Sequence, residues 1–171
     1  MDKLKDSIGY ASYQCHRAKK YIEDTVNPTF HSSGQIVSID KSKIKQIYKI
    51  VTTFEHFSAM ICDMNNLIKE GVMQDDYKDT WIVSIFDLMV VAEYCQNSKD
   101  FTDYLDLREK VADADVMFSD ELDLFAAFCQ EELEDIISQQ HKFVFGLAKM
   151  FDEDYNSEML GVDLLKNNSG T

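Results

Sequence analysis

The class of fold is decided by three segments near the middle of the chain: WIVSIFDLMVVAEYC (81–95), SKDFTDYLDLREKV (98–111) and FSDELDLFAAFCQEEL (118–133). Each carries an apolar or aromatic side chain at nearly every helical turn, as expected of helices packed on a core. We expect helices to begin at Asp87, Ser98 and Ser119, because such side chains cap free backbone N–H groups. The apolar run at 81–85 predicts a short buried strand or an entry to a helix.

Upstream, apolar residues three and four apart predict an amphipathic helix that ends near Asn27-Pro28, where proline disfavours helical geometry in the preceding residue. These residues are Leu4, Ile8, Ala11, Cys15, Ala18 and Ile22. His16, Arg17, Lys19 and Lys20 fall on or beside its solvated side. A loop is expected at 31–34, and the β-branched run at 35–39 predicts a second short strand.

The segment 41–70 has apolar residues at alternating steps of three and four, which predicts one long helix capped by Asp40 and ended by Gly71. Ser58 and Asn65 interrupt this heptad spacing. The seam of a homodimer is one interpretation of the pattern. A second apolar stripe favours the other interpretation, a central helix packed on both sides.

The sequence as a whole predicts a mainly α fold, with several helices in a single domain over residues 1–165 and a disordered tail over 166–171. The chain has 171 residues, of which only six are Gly and one is Pro. Those counts disfavour sandwiches and barrels, which need many tight turns.

Charge is distributed unevenly along the chain. Residues 1–70 carry ten Lys and Arg against eight Asp and Glu, whereas residues 71–171 carry seven against twenty-three. The formal net charge of the whole chain is −14. A surface of this sign repels phosphate backbones, so we expect no direct nucleic-acid binding by the second half. It is typical of a solvated face, a dock for a basic protein or a mimic of nucleic-acid charge.

The sequence predicts a cytoplasmic protein with reduced thiols. The amino-terminal MDKLKDSIGY lacks the apolar stretch of a secretion signal, and no apolar run is long enough to span a membrane. Cys15, Cys62, Cys95 and Cys129 are widely spaced, without a CxxC pair. Cysteines on apolar helical stripes usually behave as small hydrophobic side chains.

One segment has the ligand spacing of a calcium loop. Asp152, Asp154, Asn156, Glu158 and Asp163 occupy positions 1, 3, 5, 7 and 12 of such a loop. Ser157 stands where the sharp turn requires glycine, and Asp163 is shorter than the usual bidentate glutamate. The alternative is an acidic helix end. Apart from this calcium candidate, no metal, cofactor-binding or catalytic residue is predicted from the sequence.

Three parts of the central stretch carry a resemblance. They are W-I-V-S-I-F-D-L-x-x-V-x-E from Trp81, F-x-x-Y-L-x-x-R from Phe101 and D-E-L-D-L-F from Asp120. Together they resemble the helical region that follows the restriction-endonuclease-like core of large bacterial nuclease-related proteins. A nuclease of that fold needs an E-x-K motif on a strand to hold Mg²⁺. Glu109-Lys110 is adjacent and lies on a predicted helix. The resemblance therefore implies a non-catalytic relative or accessory subunit, or a fragment whose catalytic part lies elsewhere.

The function expected from the sequence is that of a non-catalytic, acidic, helical domain that binds another protein, within a bacterial nuclease-related or defence assembly. Its partner is expected to be a protein, basic where it meets the acidic half, and neither nucleic acid nor membrane. Self-association is expected to use helix 41–70. The alternatives are a partial nuclease-like enzyme subunit and an acidic inhibitor that mimics nucleic-acid charge.

Overall fold

A computed structural model describes residues 2–55, 57, 63–113, 116–138 and 143–153. Helices predominate and are accompanied by short strands, which confirms the mainly α class. The longer helices are α1 (Tyr10–Asp24), α2 (Met64–Lys69), α3 (Ile85–Tyr94), α4 (Ser98–Asp113), α5 (Glu121–Cys129) and α6 (Leu133–Ser138). The strands are β1 (Thr29–Ser32), β2 (Gln35–Ser38), β3 (Lys49–Thr53), β4 (Thr80–Ser84), β5 (Met117–Phe118) and β6 (Phe143–Val144).

The chain divides into two compact units, with the boundary inside α3 between Leu88 and Met89. We call residues 1–88 unit 1 and residues 89–171 unit 2. The expectation of a single domain over residues 1–165 stays a prediction. The predicted disordered tail, 166–171, lies outside the described residues.

Unit 1 is built around a parallel pair of strands, β3 and β4, on which α1 packs. Lys49 is in register with Thr80, and Thr53 with Ser84. The core between these elements is apolar and includes Ile8, Val51, Met64, Leu67, Val72 and Ile82. The π-helical turn Lys5–Gly9 that precedes α1 approaches the loop after α2 closely. A Cβ atom on Gly9 would lie 2.2 Å from the Val72 carbonyl oxygen, so only glycine fits there.

A two-stranded antiparallel hairpin, β1–β2, follows α1. Thr29 is in register with Ser38, and Ser32 with Gln35. The turn between them uses Ser33 at φ 49° and Gly34 at φ 79°, the two positive φ angles that a type I′ turn requires. The strand predicted at 35–39 is thus confirmed, whereas the loop predicted at 31–34 contains the end of β1.

The prediction of a continuous helix over 41–70 is wrong. Within the described part of this segment, Lys41–Lys43 forms a single 3₁₀ turn, residues 49–53 form β3, and Met64–Lys69 is helical. The sequence of β3 is KIVTT, whose β-branched side chains suit a strand that pairs with the distant TWIVS of β4. The proposed dimer seam along such a helix is therefore removed. Asp40 does cap the 3₁₀ turn, by accepting the Ser42 amide, and Gly71 follows α2 at φ 69°.

The three helix starts predicted in the central stretch are displaced by one to three residues. The Ser84 hydroxyl accepts from the Asp87 amide at 3.0 Å, so Ser84 rather than Asp87 caps α3. Asn97 Oδ1 accepts from the amides of Lys99 and Asp100, in place of Ser98. Asp120 caps α5 in place of Ser119. The strand predicted at 81–85 is present as β4, over 80–84.

In unit 2, the buried faces of α4 and α5 meet through aromatic side chains. The rings of Tyr104 and Phe125 lie edge to face at 4.9 Å between centroids, and Phe125 stacks on Phe151 at 5.7 Å. Tyr94 meets Phe151 edge to face at 4.8 Å. Such pairs contribute roughly 0.5–1.5 kcal/mol each beyond the burial of their area. Aromatic side chains of α4 and α5 therefore form part of the core of unit 2, together with Phe151.

Candidate functional site

A buried charged network joins α4 to α5 in unit 2. The Arg108 guanidinium donates to both carboxylate oxygens of Glu121, from Nε at 2.7 Å and from Nη2 at 2.8 Å. The Tyr104 hydroxyl donates to Glu121 Oε1 at 2.5 Å. Glu121 is 1% exposed and Arg108 is 8% exposed. The paired geometry satisfies a carboxylate that would be costly to bury alone.

A second buried carboxylate, Asp123, ties α5 to a distant segment of the same unit. Its Oδ1 accepts the Ala148 amide at 2.8 Å, and its Oδ2 accepts the Ser119 hydroxyl. Its own amide is capped by Asp120 at 3.0 Å. Asp123 is 1% exposed. Both buried carboxylates of unit 2 are thus bound to protein groups, which indicates that they hold the fold together.

Unit 1 contains a cluster of charged side chains at the first residue of β3 and at the residue that precedes β4. The Lys49 ammonium, whose side chain is 2% exposed, pairs with Asp79, and Lys19 of α1 reaches the same carboxylate at 3.3 Å. Burial alone would raise the pKa of the Asp79 carboxyl, but Lys49 and Lys19 hold it below its usual value. These ion pairs link α1 to β3 and to the residue that precedes β4.

An exposed stripe of tyrosine and arginine runs along α1 and onto the hairpin. We call it the α1–hairpin surface and define it by Tyr10, Tyr13, Arg17, Tyr21 and Phe30. Their spacing on α1 places the four helical residues on one face. Tyr10 is 59% exposed and Tyr21 is 40% exposed. Exposed tyrosine and arginine are the residues that most often dominate binding at protein interfaces.

Contacts join the members of this surface into two groups, Tyr10, Tyr13 and Arg17 on the one hand and Tyr21 and Phe30 on the other. The rings of Tyr10 and Tyr13 lie 6.4 Å apart, and the Arg17 guanidinium carbon lies 5.5 Å from the Tyr13 ring centroid. Tyr21 meets Phe30 edge to face at 5.5 Å. The Tyr21 hydroxyl also bonds both the N–H and the C=O of Thr29, at 3.2 and 3.1 Å. The helix therefore fixes the position of β1 and of Phe30.

A groove of about 560 Å³ lies between α1 and β1 along this surface. Tyr21, Phe30 and Ala18 contribute apolar walls, while Arg17 and Lys20 bring positive charge and Asp24 brings negative charge. In the part of the chain that the structure describes, no carboxylate lies within ion-pair distance of Arg17. The Arg17 side chain is exposed and lines the groove.

The predicted calcium loop falls largely outside the described residues. Asp152 is exposed and lies in a helical segment that the structure describes over 149–153, whereas Asp154, Asn156, Glu158 and Asp163 are not described. Across the described ranges, no three histidine, cysteine or acidic side chains are grouped so as to hold a metal ion. The calcium proposal therefore stays a prediction.

The three cysteines that the structure describes are free thiols. Burial raises the pKa of the Cys129 thiol to about 11, with a smaller contribution from nearby Cys95. Burial also raises the pKa of Cys15, which Lys49 partly offsets. The pKa of Cys95 is raised by burial and by Asp100. Raised thiol pKa values make these groups weak nucleophiles at neutral pH.

The α1–hairpin surface was not predicted as a site, although part of its signal is present in the sequence. Tyr10, Tyr13, Arg17 and Tyr21 follow the same three- and four-residue steps as the apolar stripe, but on the opposite side of the helix. Tyrosine counts as a core residue in a periodicity argument, so its exposure was not anticipated. Phe30 joins the surface only through the fold of the hairpin.

No family model, curated protein or solved structure matches this chain. The resemblance of the central stretch to nuclease-related proteins is therefore untested by these comparisons. Among the described helices, none combines the length and the apolar character needed to cross a membrane.

Proposed function

We propose that this protein is a non-catalytic accessory domain that binds another protein through the α1–hairpin surface. The observation that carries the proposal is the exposed, contiguous set Tyr10, Tyr13, Arg17, Tyr21 and Phe30. Aromatic and arginine side chains supply large contact area and directed hydrogen bonds at the centres of interfaces. The bacterial nuclease-related assembly suggested by residues 81–125 is the proposed setting.

The distribution of charged groups supports a binding role over a catalytic one. The buried carboxylates Glu121 and Asp123 each bind donors from other segments of unit 2. Asp79 binds two lysines. Catalytic acids and bases instead face a cleft with shifted pKa values and room for a substrate. The groups that the fold leaves exposed are those suited to contact a partner surface.

The experiment is affinity capture from the native host with the wild-type protein and with the double variant Tyr13→Ala/Arg17→Ala, quantified by mass spectrometry. The matched control is Phe54→Ala, which removes an aromatic that is 86% exposed elsewhere in unit 1. We expect one partner to be depleted at least about tenfold by the double variant and unchanged by the control, because interface hot spots contribute roughly 2 kcal/mol or more. Equal capture by all three proteins would contradict the proposal. Mg²⁺-dependent DNA cleavage by the pure protein would overturn the non-catalytic assignment.

A second candidate function, inhibition by nucleic-acid charge mimicry, is favoured by the acidic composition of residues 71–171. Seven basic side chains against twenty-three acidic ones would attract a basic nucleic-acid site. Binding through charge weakens steeply as salt screens the interaction. If the captured partner stays bound when NaCl is raised from roughly 0.05 M to 0.5 M, charge mimicry is excluded and contact through the α1–hairpin surface is supported.

A further inference from the structure

We propose that the outer edge of β2 pairs with β2 of a second copy of this chain, which forms a four-stranded sheet across a two-fold axis. This proposal does not rest on partner binding by the α1–hairpin surface, although Phe30 of that surface lies on the strand that pairs with β2. It rests on the direction of the backbone groups in the hairpin, on the composition of the strands and on the symmetry of the pairing.

The register of the hairpin determines which backbone groups point outward. Ser32 and Gln35 flank a two-residue turn and so exchange hydrogen bonds, and the Ile39 amide donates to the Pro28 carbonyl at 2.9 Å. Hydrogen-bonded and non-hydrogen-bonded residue pairs therefore alternate along the hairpin. Thr29 and His31 belong to non-hydrogen-bonded pairs, so their N–H and C=O groups point outward from β1. On β2 the outward groups belong to Ile36 and Ser38.

The two edges of the hairpin differ in what covers them. On β1, the Tyr21 hydroxyl bonds both outward groups of Thr29 and so blocks that edge next to α1. On β2, no hydrogen bond from the described residues reaches the outward groups of Ile36 or Ser38. Ile36 is 65% exposed and Val37 is 48% exposed. An open edge of this kind is a template for a further strand.

The composition of the hairpin lacks the features that usually prevent edge pairing. Between Thr29 and Ser38 the sequence TFHSSGQIVS contains no Asp, Glu, Lys, Arg or Pro, although 28% of the chain is charged. Natural edge strands are commonly blocked by lysine, proline or a bulge. Two copies can therefore meet here without placing like charges opposite one another, despite a net charge of −14 on each.

Antiparallel pairing of two copies has one register that uses every outward group. With Val37 opposite Val37 of the second copy, Ile36 lies opposite Ser38 in both directions, and these pairs exchange four hydrogen bonds. Val37 then occupies a non-hydrogen-bonded pair, whose side chains lie closest. Since Phe30 is the cross-strand neighbour of Val37, the joined face presents Phe30 and Val37 from both copies side by side. A second copy thus fits the edge without any unpaired group.

The association is expected to be weak and to depend on concentration. Four residues of strand edge bury much less than the roughly 800 Å² per partner of a standard stable interface. Screening of the repulsion between two acidic chains should strengthen it, so the dissociation constant should fall as salt rises. This salt dependence is opposite in sign to that of charge mimicry.

Sedimentation velocity over a concentration series tests the proposal with a matched pair of edge variants. Ile36→Lys places a charge on the open edge, and His31→Lys places the same charge on its cross-strand partner at the edge covered by Tyr21. We expect Ile36→Lys to raise the dimer dissociation constant at least tenfold and His31→Lys to change it less than threefold. A wild-type protein that stays monomeric into the millimolar range overturns the proposal, as does a dimer that both variants retain.

Cysteine cross-linking tests the register. Val37→Cys places two thiols opposite one another across the axis, at about the 4.5 Å Cα separation of a non-hydrogen-bonded pair, which a disulfide can bridge. Ile36→Cys places them diagonally, beyond the roughly 7 Å limit for bridging. Under a mild copper oxidant, we expect several-fold more covalent dimer from Val37→Cys than from Ile36→Cys or from wild type, whose native thiols report the background. Equal yields from all three would show random collision and would overturn the pairing.

Discussion

A tyrosine followed four positions later by an arginine, one helical turn along, occurs in both units but in opposite environments. In unit 2, Tyr104 and Arg108 are buried on α4 and both bind the carboxylate of Glu121. In unit 1, Tyr13 and Arg17 are exposed on α1 and contact each other as cation and ring, at 5.5 Å. Both units thus contain the same two residue types at the same spacing. They differ in that a buried carboxylate, Glu121, accepts hydrogen bonds from the pair in unit 2. In unit 2 the tyrosine and arginine bind the buried carboxylate of Glu121, whereas in unit 1 no described carboxylate lies within ion-pair distance of Arg17.

The largest effect expected from this comparison is the loss of stability of unit 2 when Glu121 is removed. Glu121→Ala leaves the buried Arg108 guanidinium and the Tyr104 hydroxyl without their acceptor. Breaking a buried pair in this way costs about 3–5 kcal/mol of the free energy of unfolding. Urea denaturation measures the change, with the exposed Glu132→Ala as control. A loss below about 1 kcal/mol would show that the network does not hold α4 to α5.

A smaller loss is expected in unit 1 from Asp79→Asn, which leaves the buried Lys49 ammonium without its counter-ion. The cost should be on the order of 2 kcal/mol, below that of a fully buried pair because one third of the Asp79 side chain is exposed. Since the pKa of Asp79 is lowered on folding, its contribution is complete above the unfolded pKa of about 4 and is lost as pH falls through the folded pKa.

Denaturation of wild type and Asp79→Asn at several pH values checks this sign. The two stabilities should differ most near neutral pH and converge in acid, whereas the exposed Asp75→Asn control should follow wild type throughout. A difference between wild type and Asp79→Asn that grows as pH falls would contradict the role given to Lys49 and Lys19.

The thiol of Cys129 lies at the end of α5, in a residue that is exposed overall, and partial burial of the thiol raises its pKa. With a pKa of about 11, its thiolate fraction near pH 8 should be roughly a hundredfold below that of a thiol with the ordinary value of 9.0. Alkylation of the Cys129 peptide, followed by mass spectrometry, should accelerate about tenfold per pH unit up to pH 9.5 without a plateau. A plateau near pH 8.5 would contradict the raised pKa of the Cys129 thiol.

The smallest effect on stability is expected from the exposed tyrosine–arginine pair. Tyr13→Ala/Arg17→Ala should lower the free energy of unfolding by about 1 kcal/mol or less, because both side chains are exposed and the main packing partner of Tyr13 is the ring of Tyr77 at 6.1 Å. Chemical denaturation measures it beside Tyr104→Ala/Arg108→Ala, the matched change in unit 2. Comparable losses in the two double variants would remove the distinction between the two units.

The features that the sequence predicted correctly depend on local pattern, and those it missed depend on distant pairing. The stripe from Leu4 to Ile22 predicts α1. The strand predicted at 35–39 is present over 35–38, and the run at 81–85, for which a strand or an entry to a helix is predicted, forms a strand over 80–84. Residues 49–53 were assigned to a helix, because KIVTT fits a heptad spacing as well as a strand and its partner β4 lies far along the chain. Pairing of that kind is invisible to periodicity.

The candidate surface was predictable only in part. The steps of three and four from Tyr10 to Tyr21 show a common helix face, but composition does not reveal whether tyrosine on that face is buried. The observed helix caps, Ser84, Asn97 and Asp120, differ from the predicted ones. Each lies within three residues of another side chain that can cap a helix, and the backbone geometry determines which of them does so. The network around Glu121 joins residues that the sequence presented as helix starts and core.

Hydroxyl-radical footprinting of the tyrosines, with and without an extract of the native host, tests the central claim most directly. In the purified protein, Tyr13 and Tyr21 should be modified readily and Tyr104, which is 0% exposed, should be spared. With extract, modification of Tyr13 and Tyr21 should fall several-fold, while exposed Phe54 and Phe145 keep their reactivity. Unchanged reactivity of Tyr13 and Tyr21 in the presence of extract would contradict the assignment of the α1–hairpin surface as the binding site.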